Sequence, residues 1–153
     1  MSEHTPSTAS RERSLAKGLA AGLVAGLVGV AAKTLAERMF QHRSAKEAEP
    51  AGNWLARHSG LPNSGERIPW EFGAATGAAY GALAEFYPAA TAKEGAAFGM
   101  AVETLTHEAP LPALGISLPV GSESTRERVS EMTSHVIFGV TVEFVRRIVR
   151  KVL

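Results

Sequence analysis

Glycine at every fourth position is the feature of this sequence that most constrains its fold. Three runs share the spacing: Gly18, Gly22 and Gly26; Gly73, Gly77 and Gly81; Gly95 and Gly99. In the interior of a soluble helix, each glycine costs about 1 kcal/mol relative to alanine. In a membrane, small residues at this spacing let two helix backbones pack closely. The pattern therefore favours membrane helices packed through glycine, and the alternative is a soluble bundle with a small-residue core.

Four segments of the chain predict helices, and they form one domain behind a polar tail. The expected helices cover about residues 14–40, 70–88, 91–109 and 127–151. Residues 1–13 are expected to be a disordered tail, and Glu3 and Glu12 argue against a secretory signal there. Residues 14–153 are then expected to form an all-α, four-helix integral membrane bundle with small-residue (Gly/Ala) helix packing.

The distribution of charge limits the location of the chain and its partners. With 16 Lys and Arg against 15 Asp and Glu, the net charge is +1, so nucleic acid is not an expected partner. No uncharged run reaches the roughly 20 residues of a standard span, so the spans must turn ionisable groups towards the bundle interior. The basic cluster from Arg146 to Lys151 favours a multi-pass membrane protein with both termini in the cytoplasm. The expected partner is the lipid bilayer, and a protein partner or a homo-oligomer stays open.

Six ionisable residues of three helices are expected in one layer near the outer ends of the helices. They form three pairs, each one helical turn apart: Lys33 and Glu37, Glu103 and His107, Glu131 and His135. A charged side chain deep in a bilayer costs about 2.5–3.5 kcal/mol on insertion scales. These groups are therefore expected to form a buried polar cluster, paired inside the bundle or lining a wet cavity.

A second charged group is expected at the inner ends of the helices, formed by Glu85, Glu143, Arg146 and Arg147. Arg146 and Arg147 follow Glu143 by three and four residues, so both can reach its carboxylate. Known catalytic motifs are missing, because the sequence contains no Walker A loop, no G-x-S-x-G and no H-E-x-x-H. The sequence therefore predicts no catalytic residue and, apart from a metal, no cofactor.

Three functions are compatible with the outer layer. The leading hypothesis is a proton or cation site, since histidine titrates near neutrality. The second is a structural or partner-binding membrane subunit, in which the polar layer only fixes helix packing. The third is a metal-dependent membrane enzyme, for which two Glu-x-x-x-His pairs would supply oxygen and nitrogen ligands. The residues of that speculative metal site are Glu103, His107, Glu131 and His135.

Several stretches resemble the YagU-like bacterial inner-membrane proteins, a domain family without an assigned activity. The last helix, "ERVSEMTSHVIFGVTVEFVRR", matches at Ser130, Glu131, His135, Glu143, Arg146 and Arg147. Three earlier stretches are similar in the same order: "AAKTLAER" with Lys33 and Glu37, "GAAYGALAEFYP" with Glu85 and Pro88, and "EGAAFGMAVETLTHEAPLPALG" with Gly95, His107 and Pro110. The resemblance implies an integral inner-membrane protein of four helices, and it implies no substrate.

Overall fold

The computed structural model describes residues 13–40, 64–108 and 125–153, and all regular structure in these ranges is helical. The α-helices are α1 (Leu15–Phe40), α2 (Ser64–Phe86), α3 (Ala96–Glu103) and α4 (Thr125–Val152). A 3₁₀ segment, Pro88–Gly95, leads into α3, and a π-helical turn, Thr104–Glu108, continues it. The all-α prediction with four helices is confirmed for this part of the chain. Of the tail expected at residues 1–13, only Arg13 lies within the described ranges.

Two helices begin at places other than those expected from the sequence. α2 starts at Ser64, and Pro69 lies in its second turn, where it removes one backbone donor without ending the helix. α3 starts only at Ala96, because the backbone before it leaves the helical region. Lys93, Glu94 and Gly95 have φ angles of 52°, 55° and 87°, and glycine is the residue that adopts such angles without strain. The turn at these three residues redirects the chain from α2 into α3.

α1 and α2 pack antiparallel through their glycines. Three pairs stand opposite one another: Gly18 and Gly81, Gly22 and Gly77, Gly26 and Gly73. A Cβ atom on Gly77 would lie 2.5 Å from the carbonyl oxygen of Gly22, and backbone cannot move away from it as a flexible side chain would. The two helices therefore approach each other at a distance that only glycine permits.

α3 and α4 form a second glycine contact. A Cβ on Gly95 would lie 2.7 Å from the Cβ of Glu143, and one on Gly139 would lie 2.5 Å from the backbone nitrogen of Gly99. A Cβ on Gly99 would overlap the carbonyl group of His135. Because Gly95 lies opposite Gly139 and Gly99 lies opposite His135, these two helices are also antiparallel.

The helices are arranged in the order α2, α1, α4, α3, with α1 packed against both α2 and α4 and with α3 packed against α4. The buried hydrophobic core contains only a few large side chains, and among them are Val30, Tyr80, Phe138 and Val142. The ring of Tyr80 stacks on Phe98 of α3 with 4.2 Å between centroids. Beside this stack lies a cavity of about 250 Å³, whose walls are α2 and α3.

Among the described helices, α1 alone is long and apolar enough to cross a membrane by length and composition. Buried helices of soluble proteins and signal sequences meet the same criterion, so one such helix is weak support for a membrane location. The criterion therefore supports one span, and it does not extend to the four spans expected from the sequence.

Candidate functional site

The inner end of the helix bundle is built around the carboxylate of Glu143, which is 1% exposed. Arg146 approaches it with two nitrogens, with Nε 2.7 Å from Oε2 and Nη2 2.9 Å from Oε1. Tyr80 of α2 donates its hydroxyl to Oε2 at 2.8 Å, and Arg147 donates to Oε1. Arg147 also contacts Glu94 in the 3₁₀ segment. Both oxygens of this buried carboxylate are therefore matched by donors, as a buried charge requires.

A second ion pair, between Glu85 and Arg150, joins the ends of α2 and α4. Arg150 donates to both oxygens of Glu85, and the distance from Nη2 to Oε2 is 3.1 Å. The backbone N–H of Ser14 donates to the same Oε2 at 3.3 Å. The Arg150 hydrogen bonds, helped by that of Ser14, hold the pKa of Glu85 below its ordinary value of 4.5, although burial opposes the shift. Three helices thus meet at one carboxylate.

The outer end of the bundle contains Lys33, Glu37 and Glu131. Lys33 forms an ion pair with Glu37 one turn later on α1, and its Nζ lies 3.8 Å from Oε2 of Glu131 on α4. Ser134 donates its hydroxyl to the carbonyl oxygen of Glu131 at 2.8 Å. The contact between Lys33 and Glu131 joins α1 to α4 at this end.

His135 and Glu103 lie in the interface between α3 and α4, and each is only 4% exposed. Nδ1 of His135 is 3.1 Å from the carbonyl oxygen of Glu131, a distance that allows a hydrogen bond when Nδ1 carries the proton. Glu103 follows Gly95 and Gly99 at steps of four, so it continues the face of α3 that packs on α4. Continuing the antiparallel pairing by one turn places Glu103 level with Glu131.

The structure describes the four residues of the speculative metal site only in part. For His107 the structure describes the backbone, which belongs to the π-helical turn, and not the side chain. Among the residues that are described, no three His, Asp or Glu side chains are arranged to hold a metal ion. The donors that the structure does describe therefore give no support to the metal hypothesis.

Four residues of the inner end were not among the expected site residues: Ser14, Tyr80, Glu94 and Arg150. Each contributes a contact between segments far apart in sequence, such as Tyr80 with Glu143 at 63 residues and Arg150 with Glu85 at 65. Spacing along one helix cannot reveal such contacts. The one available signal was Arg150 itself, since it falls one turn after Arg146 on the same face.

Comparison with known proteins adds a family to this geometry. The model of a family described as protein of unknown function (DUF1440) matches residues 51–144, more than half of the chain. The chain belongs to the DUF1440 family. No curated protein and no solved structure matches it.

The DUF1440 match covers only part of each ionisable layer. It includes Glu85, Glu103, Glu131, His135 and Glu143, and it ends before the final arginines. It also leaves out α1, and with it Lys33 and Glu37. The match supports an uncharacterised domain family, and the narrower YagU-like assignment stays a prediction.

Proposed function

We propose that this protein is a multi-pass integral protein of the bacterial inner membrane, as its resemblance to the YagU-like proteins implies, and that its outer layer of ionisable groups handles protons or cations. Support for the membrane location comes from the side chains that α1 buries and exposes. Its buried positions include Gly22, Ala25 and Gly26, whereas Leu23 and Val28 are 45% and 43% exposed. Small residues inside and large apolar residues outside are the arrangement that lipid favours.

α4 supports the same location more strongly. It buries His135, Glu143 and Arg146 against the other helices, while Phe144 is 65% exposed and Ile148 47%. A helix of a soluble bundle would place its apolar face inside and its charges in water. These three ionisable groups face the protein, which is where such groups are found in membrane helices.

The two ionisable layers are separated by a distance that suits a bilayer. Ser14, directly before α1, and Lys33 of α1 are 19 residues apart, or about 28 Å at the rise of an α-helix, and so are Glu131 and Arg150 of α4. The hydrocarbon core of a bilayer is about 30 Å thick. Lys17 Nζ donates to the backbone oxygen of Leu153 at 2.6 Å, so the start of α1 and the end of α4 lie on the same side. The arginines of α4 favour the cytoplasm for that side.

The observation that carries the proton or cation role is the burial of Glu103 in the outer layer. Glu37 and Glu131 of the same layer both pair with Lys33. Within the described residues, the carboxylate of Glu103 has no hydrogen bond or ion pair, although it is 4% exposed. An ionisable residue inside a membrane bundle often marks the path of an ion or a proton, and Glu103 is proposed for that role here.

Reconstitution into liposomes tests this proposal. Under a pH or cation gradient, wild-type vesicles should carry a flux above that of empty vesicles, and Glu103→Gln and Glu131→Gln should reduce it. Glu94→Gln is the matched control, since it removes a carboxylate that is 71% exposed at the other end. Equal flux in all variants, or none above background, would favour the structural alternative, which the fully matched donors of Glu143 support.

The location has its own test. Carbonate-washed membranes should retain the protein, because its exposed apolar side chains would face lipid. Release into the soluble fraction without detergent would contradict the membrane proposal whatever the flux measurement shows.

A further inference from the structure

The cavity between α2 and α3 lies outside both ionisable layers, and its position suggests a ligand. α2 contributes residues of one face, Ala79 and Leu83 among them, α3 contributes Phe98 and Ala101, and the π-helical turn contributes Leu105. The lining is apolar except for the hydroxyl groups of a threonine and of Tyr80, and the latter donates to Glu143. Ala79 and Ala101 are exposed, so the cavity opens to the surroundings of the protein.

The volume of the cavity and the contact between its walls determine what fits in it. Its volume is about 250 Å³, and the stack of Tyr80 on Phe98, with 4.2 Å between centroids, holds its two walls together. A helix is about 10–12 Å across with its side chains and cannot enter between walls joined in this way. A single hydrocarbon chain is thin and flexible enough to lie along the groove.

The inner end of the groove is cationic. The 3₁₀ segment joins α2 to α3 there, and it carries Lys93, which is exposed and has no ion pair among the described residues. Arg147 contacts this segment through Glu94. Bases outnumber carboxylate side chains at this end of the described chain: Arg13, Lys17, Lys93, Arg146, Arg147, Arg150 and Lys151 against Glu85, Glu94 and Glu143. An anionic group at the mouth of the groove would therefore be attracted to Lys93.

We propose that the groove between α2 and α3 binds one acyl chain of an anionic phospholipid, with its phosphate headgroup at Lys93. This inference rests on the membrane location proposed above, because the lipid must reach the groove from the inner leaflet. The apolar walls bind the chain, and Lys93 selects the anionic headgroup.

Native mass spectrometry of the full-length protein in mild detergent tests the proposal. Phosphatidylglycerol and phosphatidylcholine with identical acyl chains would be offered in equal amounts. The wild type should retain phosphatidylglycerol over phosphatidylcholine by about fivefold, the effect of one lysine near an anionic lipid. Lys93→Gln should remove this preference while lipid remains bound.

Filling the groove should remove the lipid itself. Ala101→Phe and the smaller change Ala79→Leu should both lose bound phospholipid, and thermal unfolding would show that each variant is folded. Val28→Phe is the matched control, because it adds the same ring on the exposed side of α1, away from the groove. It should bind as the wild type does.

Several outcomes would overturn the inference. Equal retention of the two lipids by the wild type would exclude selection by Lys93, and full retention by folded Ala101→Phe would exclude the groove. The chain has no native cysteine. A disulfide formed between two copies of Ala101→Cys would therefore show that a second copy covers the groove. If the protein resists carbonate washing, any of these results would contradict the lipid site and leave the membrane location intact. Release by carbonate would instead contradict the membrane location.

Discussion

At Glu143, one carboxylate accepts hydrogen bonds from side chains on two helices. Tyr80 reaches it from α2, and Arg146 and Arg147 reach it from the next turn of α4. Burying a charge is costly unless its partners are in place, so the carboxylate and its donors depend on each other. Removing one member of this group should therefore lower the stability of the fold.

Glu143→Gln should lower the stability of the detergent-purified protein by about 3–5 kcal/mol, because it leaves Arg146, 9% exposed, without its partner charge. Denaturant unfolding monitored by circular dichroism measures the loss. Glu94→Gln is the control, since an exposed ion pair contributes about 0–1 kcal/mol. Similar losses in the two variants would contradict a central role for the buried carboxylate.

The ion pair of Glu85 predicts how the stability of the fold depends on pH. Its folded-state pKa is lowered below 4.5, its ordinary value, chiefly by the hydrogen bonds of Arg150. A carboxylate with a lowered folded pKa stabilises the fold above its unfolded pKa, and that stability is lost as the pH falls through the folded pKa. The melting temperature of the wild type should therefore fall more steeply below about pH 4.5 than that of Glu85→Gln. Parallel pH profiles for the two proteins would show that the carboxylate does not contribute in this way.

At the scale of the helices, glycine spacing predicted which elements would be close, but it did not predict every partner. The runs in α1 and α2 face each other, and this contact follows from steps of four on both helices. Gly95 and Gly99 instead meet α4, where Gly139 is a single glycine without a repeat. The sequence also did not predict the late start of α3, since Lys93 and Glu94 are not residues that favour positive φ angles.

Gly77→Leu should separate α1 from α2, because the new side chain would begin 2.5 Å from the carbonyl oxygen of Gly22. We expect a loss of about 1–3 kcal/mol or more, as for overpacking elsewhere. Ala75→Leu on the same helix is exposed and serves as the control. Thermal unfolding in detergent compares the two variants, and an unchanged transition for Gly77→Leu would show that this glycine does not set the helix contact.

Across the whole molecule, the sequence predicted the all-α class and the four helices, because apolar periodicity and breaks at proline are local signals. It did not predict that Glu85 would pair with Arg150 or that Tyr80 would meet Glu143, because these contacts depend on how three helices are packed. The same limit applies to the groove, since its walls are α2 and α3 and these are held together through Tyr80 and Phe98.

Cysteine labelling tests the proposed topology of the whole chain. The protein has no native cysteine, so single substitutions report one position each. Arg13→Cys and Leu153→Cys should react with a membrane-impermeant maleimide only after spheroplasts are lysed. Met39→Cys, 70% exposed near the other end of α1, should react in intact spheroplasts. Labelling of all three from the same side would contradict the crossing of α1.

The equal spacing of the glycines in α1 and α2 allows the two helices to pack closely in more than one alignment. Sliding α2 along α1 by one step of four residues would still leave two of the three glycine pairs opposite each other. The contact fixes how close the helices lie more firmly than it fixes how far one helix is displaced along the other. The alignment must then come from contacts that occur once, and Glu85 with the N–H of Ser14 is such a contact. Changing it would therefore affect which alignment the helices choose, even with every glycine in place.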